Sequence, residues 1–207
     1  MRSKLIARLC AALLVGEAVL ILTSWILSAT MTRGVRSLLS DEGLRWLLGG
    51  FTEVMASPLL VWLVMVLIAA GCFVRSGLSS VTRSLLTGRR ASVASYRDRV
   101  ALRAVLVFLI IYVAVVLLLT VIPHAILLSA TGSLWPSPFS RSVVPLAAFG
   151  VAVSAAAFGV ISGRLVSLTD ILEALTAGLR RGAPLFLVYI LAMQFAASLR
   201  FVFISGQ

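Results

Sequence analysis

Five long apolar runs, separated by polar segments, dominate the pattern of this 207-residue chain. In lipid, only a helix satisfies the hydrogen-bonding groups of its own backbone, and about 20 apolar residues are enough to cross the hydrocarbon layer. The pattern therefore predicts a single transmembrane domain, residues 1–207, with five membrane-spanning helices. These spans are expected at about residues 9–30, 55–74, 102–122, 142–163 and 183–203.

Two shorter segments have helical spacing but are too polar to cross. Residues 41–52 follow Ser40, a possible N-cap, and group their leucines on one face. Residues 168–181 have Thr169 or Asp170 as a start signal and end in two arginines. Both segments are predicted to be amphipathic helices that lie along the membrane surface.

Composition excludes a water-soluble domain. The chain is 61% hydrophobic and 12% charged, whereas soluble domains carry about 25% charged residues. The basic residues before the first run resemble the start of a secretory signal, but the run is longer than the roughly 7–15 residues of a signal core. We therefore expect a retained first helix and an all-α integral membrane protein.

The distribution of basic residues predicts orientation. The chain has 18 Lys and Arg against 7 Asp and Glu, and 13 of the basic residues fall on one side if Met1 is cytoplasmic. Cytoplasmic loops carry such an excess, so we expect a cytoplasmic N-terminus in a multi-pass protein of the inner membrane. Most of the bias lies in the basic loop 75–101, which we interpret as a topology determinant rather than a lipid-headgroup site. The predicted partner is the lipid bilayer, and no nucleic acid is expected.

Few polar side chains fall inside the predicted spans. Glu17 is the only acidic residue there, so it is either a functional carboxylate or a structural one that pairs with Arg8 or faces a wet interface. Gln194 lies in the middle of the fifth span, where it could contact substrate but is better suited to an interhelical hydrogen bond. His124, after Pro123, is expected to be solvated at the membrane surface.

Small residues make the fourth span the smoothest helix surface in the chain. Gly150, Gly159 and Gly163 are its helix-packing candidates, and Gly159 and Gly163 form a small-xxx-small pair. Small residues allow close approach of helices in lipid. The surface is expected to pack against the same chain, another copy in a homo-oligomer, or another membrane protein.

The residues give no basis for catalysis. Cys10 and Cys72 lie in separate apolar runs, so they predict neither a zinc site nor a disulfide framework. The sequence shows no catalytic triad, phosphate-cradling glycine loop or metal-ligand cluster. We expect no enzyme activity, no cofactor and no metal.

Two blocks of sequence resemble a known family. The string LLSDEGLRW at 38–46, followed after the second span by FVRSGL at 73–78, is similar to the "LLS-EG-RW" and "ERSGL" strings that open the p-aminobenzoyl-glutamate transporter family, AbgT. The second block follows in the family's order, with RVALR at 99–103, WPSPF at 135–139, SVVPL at 142–146, Gly159 to Gly163, Thr169-Asp170 and AMQF at 192–195.

The resemblance implies a particular part of that fold. Members of the family are much longer and build their substrate and ion sites from re-entrant hairpins and broken helices. Here residues 82–96 lead directly to a later scaffold helix, and Arg200-Phe201 follows where the family usually has Asn-Trp. The resemblance therefore implies an AbgT-like scaffold and dimerisation part, which lacks the transport core and is not expected to transport alone.

Two other interpretations stay open. In the first, the chain is a non-transporting scaffold or accessory subunit that holds a partner through the fourth span and the two surface helices. In the second, it is a degenerate gene product. The family resemblance favours an inner-membrane transporter protein for p-aminobenzoyl-glutamate or a related compound, coupled to a cation gradient.

Overall fold

The computed structural model describes residues 2–30, 34–86, 95–121 and 138–204, and every regular element within these ranges is an α-helix. The helices are α1 (Arg2–Ala29), α2 (Asp41–Gly49), α3 (Phe51–Met55), α4 (Pro58–Arg75), α5 (Leu78–Leu86), α6 (Tyr96–Val121), α7 (Pro138–Ile161) and α8 (Leu168–Phe203).

Five of these helices are long and apolar enough to cross a membrane. They are α1, α4, α6, α7 and α8. Their large apolar side chains are widely exposed, and on α6 alone Leu106, Ile110 and Leu117 each expose more than half of their surface. Such surfaces are unfavourable in water but match lipid tails. The predicted all-α membrane fold is confirmed.

The last helix differs from the expectation. We expected a surface helix at 168–181 and a separate span from 183, but α8 runs without a break for 36 residues. Pro184 lies inside it and cannot donate to the carbonyl of Arg180. Membrane helices tolerate such a proline because neighbouring groups compensate for the missing hydrogen bond.

The polar segments also contain more helix than expected. The predicted basic loop 75–101 includes α5 and the first turns of α6. The expected surface helix at 41–52 is divided into α2 and α3, which meet at Gly50. Ser40 is confirmed as the N-cap of α2, since its side chain accepts a hydrogen bond from the Gly43 amide.

The chain forms two compact units. Unit 1 consists of Met1–Leu60 and Gly182–Gln207, and unit 2 consists of Val61–Arg181. The core of unit 1 joins α1, the turn before α2 and the end of α8. Its buried members are Leu20, Leu38, Phe201 and Val202.

Two specific contacts hold unit 1 together. Trp46 of α2 stacks on Phe201 of α8 with ring centroids 4.6 Å apart. The backbone amide of Arg36 donates to the carbonyl of Val202 at 3.2 Å. An aromatic pair adds about 0.5–1.5 kcal/mol beyond the burial of its area, so α2 is fastened to the end of α8.

Unit 2 has its own core, centred on the fully buried Phe158 of α7. Cys72, Ala101, Ala155 and Ala174 are buried in the same cluster. The thiol of Cys72 donates to the carbonyl of Ala152 at 3.5 Å. Small side chains from four helices thus surround one large ring, which allows the helices to approach closely.

Candidate functional site

A polar cluster joins α1 and α8 inside unit 1. The Ser198 hydroxyl donates to Glu17 Oε1 at 2.6 Å, and Gln194 Nε2 donates to Ser198 Oγ at 3.4 Å. The Ser198 side chain is completely buried. The three residues form a directed chain of hydrogen bonds that ends on the carboxylate of Glu17.

Two oxygen atoms of this cluster are left without a hydrogen-bond donor. Glu17 Oε2 and Gln194 Oε1 are both buried, and neither has a partner among the described residues. Ser198 uses its only proton toward Glu17, so Gln194 must present its amino group to the hydroxyl. The orientation of the amide is thereby fixed, and its carbonyl oxygen stays bare.

These contacts differ from the expected pairing of Glu17 with Arg8 and from the expected interhelical bond of Gln194. Glu17 contacts Ser198 of α8, and it forms no ion pair with Arg8 within the described part of the chain. Gln194 was expected to bond across helices, but its amide contacts Ser198 one turn later on its own helix. The bond between helices is instead made by Ser198, a residue that the sequence pattern did not single out.

The three glycine candidates have different surroundings. A Cβ atom on Gly150 would lie 2.8 Å from the ring of Tyr112, and on Gly159 it would lie 2.7 Å from Leu165 Cγ and 3.2 Å from Ser76 Cβ. Both glycines therefore pack inside unit 2. The Tyr112 hydroxyl donates to the carbonyl of Leu146 at 2.8 Å and holds its ring over Gly150.

Gly163 does not pack on a helix face. It lies beyond the last residue of α7 and has a φ of 74°. The amide of Arg164 donates to the carbonyl of Gly159 at 2.9 Å, a bond typical of a glycine that ends a helix. The pair Gly159 and Gly163 is thus a helix terminus, which corrects the expected small-xxx-small packing pair.

Another close helix contact in unit 2 joins α4 and α8. A Cβ atom on Gly71 of α4 would lie 2.7 Å from the Cα of Gly178 in α8. The Cβ of an alanine at Gly178 would overlap the carbonyl of Leu67. The sequence pattern did not indicate this pair, because Gly178 belongs to the amphipathic segment. Its only signal was a glycine inside a segment that otherwise favours helix.

A partly buried ion pair lies at one end of unit 2. Arg164 donates from Nη2 to Asp98 Oδ1 at 3.1 Å and from Nη1 to the carbonyl of Ser76 at 3.3 Å. Its guanidinium also lies 5.4 Å from the centre of the Phe158 ring. Asp98 accepts in addition from the amide of Ser95, just before α6. Arg164, expected only to set topology, therefore ties three parts of the chain together.

The residues of the family strings have structural roles. In the first string, Gly43 presses against the turn before α2, because a Cβ there would lie 2.6 Å from the carbonyl oxygen of Leu38. In the second, Gly77 has a φ of 80°, and a Cβ there would overlap Arg164. Both glycines thus permit backbone contacts that a larger residue would prevent.

Other candidates contribute no chemistry to this site. Cys10 and Cys72 are free and buried. Within the described ranges no group of three His, Cys, Asp or Glu side chains could hold a metal ion. His124 lies outside the described residues. What the described chain offers is therefore one intramembrane carboxylate cluster in unit 1 and close helix packing in unit 2.

Comparison with known proteins identifies a family. The sequence model described as "AbgT putative transporter family" matches residues 87–204, more than half of the chain. This range contains the second block of resemblance, while the strings at 38–46 and 73–78 precede it. No curated protein and no solved structure matches the chain.

Proposed function

The chain belongs to the AbgT transporter family, and from this membership we propose that it serves membrane transport as a helical scaffold. We further propose that the transported compound is p-aminobenzoyl-glutamate or a related molecule, that a cation gradient drives its movement, and that the protein lies in the inner membrane. The scaffold assembles as a homo-oligomer.

The close contact of α4 with α8 in unit 2 is the observation that carries the scaffold role. Gly71 and Gly178 bring the two backbones together without intervening side chains. Contacts of this kind stabilise helix association in lipid, where apolar side chains gain little by leaving the bilayer. Rigid, closely packed helices are suited to support moving parts.

The path of the helices supports the same role. Secondary transporters hold substrate near the midplane on discontinuous helices. In the described part of the chain, α7 continues past Pro145 and α8 continues past Pro184. The helices that cross the membrane here are therefore suited to support a substrate site rather than to form one.

The first test is uptake by the purified chain in liposomes. Radiolabelled p-aminobenzoyl-glutamate is supplied outside, with an imposed sodium or proton gradient and empty liposomes as the control. A scaffold alone gives no uptake above the control. Uptake that depends on either gradient would overturn the scaffold role, because the chain would then transport without help.

The second test identifies the assembly. The chain is purified in mild detergent from its own membranes, and the mass of the intact complex is measured. A mass of two or more copies supports the homo-oligomeric scaffold. A stoichiometric second membrane protein would replace it with the accessory-subunit alternative, and a monomer would contradict both.

A further inference from the structure

The polar cluster of unit 1 is unusual in its balance of donors and acceptors. Glu17 and Gln194 each end in a buried oxygen with no donor, although both side chains are already held by the same Ser198 hydroxyl. Burying a charged group or an acceptor without a partner is costly. The cluster therefore contains one carboxylate and two buried acceptors for which the described residues provide no donor.

Among the described residues, no basic side chain donates a hydrogen bond to either bare oxygen. Arg8 lies nine residues before Glu17 on the same helix, which is about 13 Å along the axis. Arg36 pairs with Glu42 at 3.0 Å. None of the described ion pairs includes Glu17. Among the residues of unit 1 whose side chains are described, the charged ones besides Glu17 are Lys4, Arg8, Arg36, Asp41, Glu42, Arg45, Glu53 and Arg200.

The cluster lies within the membrane-spanning stretches of α1 and α8. Glu17 is near the middle of α1, which extends from Arg2 to Ala29. Gln194 and Ser198 lie in the uncharged stretch of α8 between Arg181 and Arg200. An ionisable side chain at this depth is expensive and is expected to have a function.

We propose that Glu17, Gln194 and Ser198 form a binding site for one monovalent cation, a sodium ion or a proton, in the membrane interior. One carboxylate supplies one negative charge, and the two bare oxygens are ligands that hard cations prefer. Within the described residues no cluster of acidic side chains is available for a divalent ion.

The two ions use the site differently. A sodium ion is held by Glu17 Oε2 and Gln194 Oε1, and no covalent bond changes. A proton adds to Glu17 Oε2, so the charge of the side chain goes from minus one to zero and no other bond breaks. The new O–H group can then donate to Gln194 Oε1. In both cases Ser198 positions the carboxylate.

The test reads the state of Glu17 directly by infrared spectroscopy of the chain reconstituted in lipid. The spectrum of Glu17→Gln is subtracted from that of the unaltered chain, which isolates the bands of one carboxyl group. Sodium chloride is compared with choline chloride at constant pH, and the sodium-free sample is then acidified. The substitution keeps the size of the side chain.

A sodium site predicts that the carboxylate bands of Glu17 shift with sodium and not with choline. Gln194→Leu then raises the sodium concentration at half-maximal shift by about 10-fold or more, as for other losses at metal sites. A proton site predicts no sodium effect and an acid carbonyl band on acidification, at a frequency that Gln194→Leu moves upward. Gel filtration checks that each variant is folded.

Glu53→Gln is the matched control, because Glu53 is an exposed carboxylate on α3 in the same unit. Its bands are expected to respond neither to sodium nor to Gln194→Leu. The proposal is overturned if the bands of Glu17 ignore sodium and their acid form is unchanged by Gln194→Leu. Because the experiment measures occupancy and not uptake, the cation site and the proposed function can fail separately.

Discussion

Arg164 and Asp98 are joined by a hydrogen-bonded ion pair of 3.1 Å at one end of unit 2, where Asp98 is almost fully buried. Arg164 comes directly after the glycine that ends α7, and Asp98 lies in the first turn of α6. The pair therefore holds the start of α6 against the end of α7.

Replacing Arg164 tests how much its contacts contribute to the stability of the protein. Arg164→Ala leaves Asp98 buried without its cation and the carbonyl of Ser76 without a donor. We expect a loss of about 1–3 kcal/mol in the free energy of unfolding, measured by denaturation in detergent micelles. Arg36→Ala is the control, since the pair with Glu42 is exposed and its loss should cost less than about 1 kcal/mol. Equal losses would contradict the structural role of Arg164.

Gly71 allows the close contact between α4 and α8 in unit 2. Gly71→Ala places a methyl group against the backbone of Gly178, and we expect it to lower the free energy of unfolding by about 1–3 kcal/mol. Gly49→Ala is the control, because a Cβ there meets no atom within 4 Å in the described part of the chain. That control should be neutral or stabilising, since alanine favours helix. A loss no larger for Gly71→Ala would rule out the tight contact.

Gly34 and Gly77 have similar backbone angles but different surroundings. Substituting each one therefore separates the cost of backbone strain from the cost of steric crowding. Gly34 has a φ of 84° and a Cβ there would meet no atom of the described residues within 4 Å, whereas Gly77 has a φ of 80° beside Arg164. Gly34→Ala should cost only the left-handed strain, about 1–2 kcal/mol. We expect Gly77→Ala to cost more, because the methyl group also displaces Arg164. Thermal unfolding of both variants should rank them in this order, and the reverse order would refute it.

Ser24 supports the turn before α2 in unit 1. Its buried hydroxyl accepts from the amide of Leu38 at 3.2 Å. Ser24→Ala leaves that buried amide without a partner, at a cost of about 1–3 kcal/mol, and hydrogen exchange at Leu38 should become faster. Thr23→Ala is the control, because Thr23 bonds only to carbonyls of its own helix. Unchanged exchange at Leu38 would show that the bond is unimportant.

The sequence predicted the membrane helices well, because an apolar run of sufficient length can satisfy its own backbone hydrogen bonds in lipid only as a helix. Ser40 was correctly identified as an N-cap from its place before two acidic residues. The continuity of α8 was not predicted, since Gly182 and Pro184 are typical of a break in water. In a bilayer the cost of exposing backbone groups outweighs that local preference.

The polar cluster was predicted only in part. Glu17 and Gln194 were noticed because acidic and amide side chains are rare in spans. Ser198 was not, because serine is common there and only the approach of α1 to α8 gives it a partner. Gly163 was misinterpreted for a related reason: spacing alone does not distinguish a packing glycine from one that ends a helix.

The length of the uncharged stretch of α8 has a consequence for the bilayer thickness that suits this helix. Eighteen residues, 182–199, separate Arg181 from Arg200, which corresponds to about 27 Å of helix. Charged groups avoid the hydrocarbon layer, so this stretch is the longest part of α8 that can lie in lipid without including an arginine. In a bilayer thicker than this stretch, the lipids or the arginine side chains must therefore adapt to its fixed length.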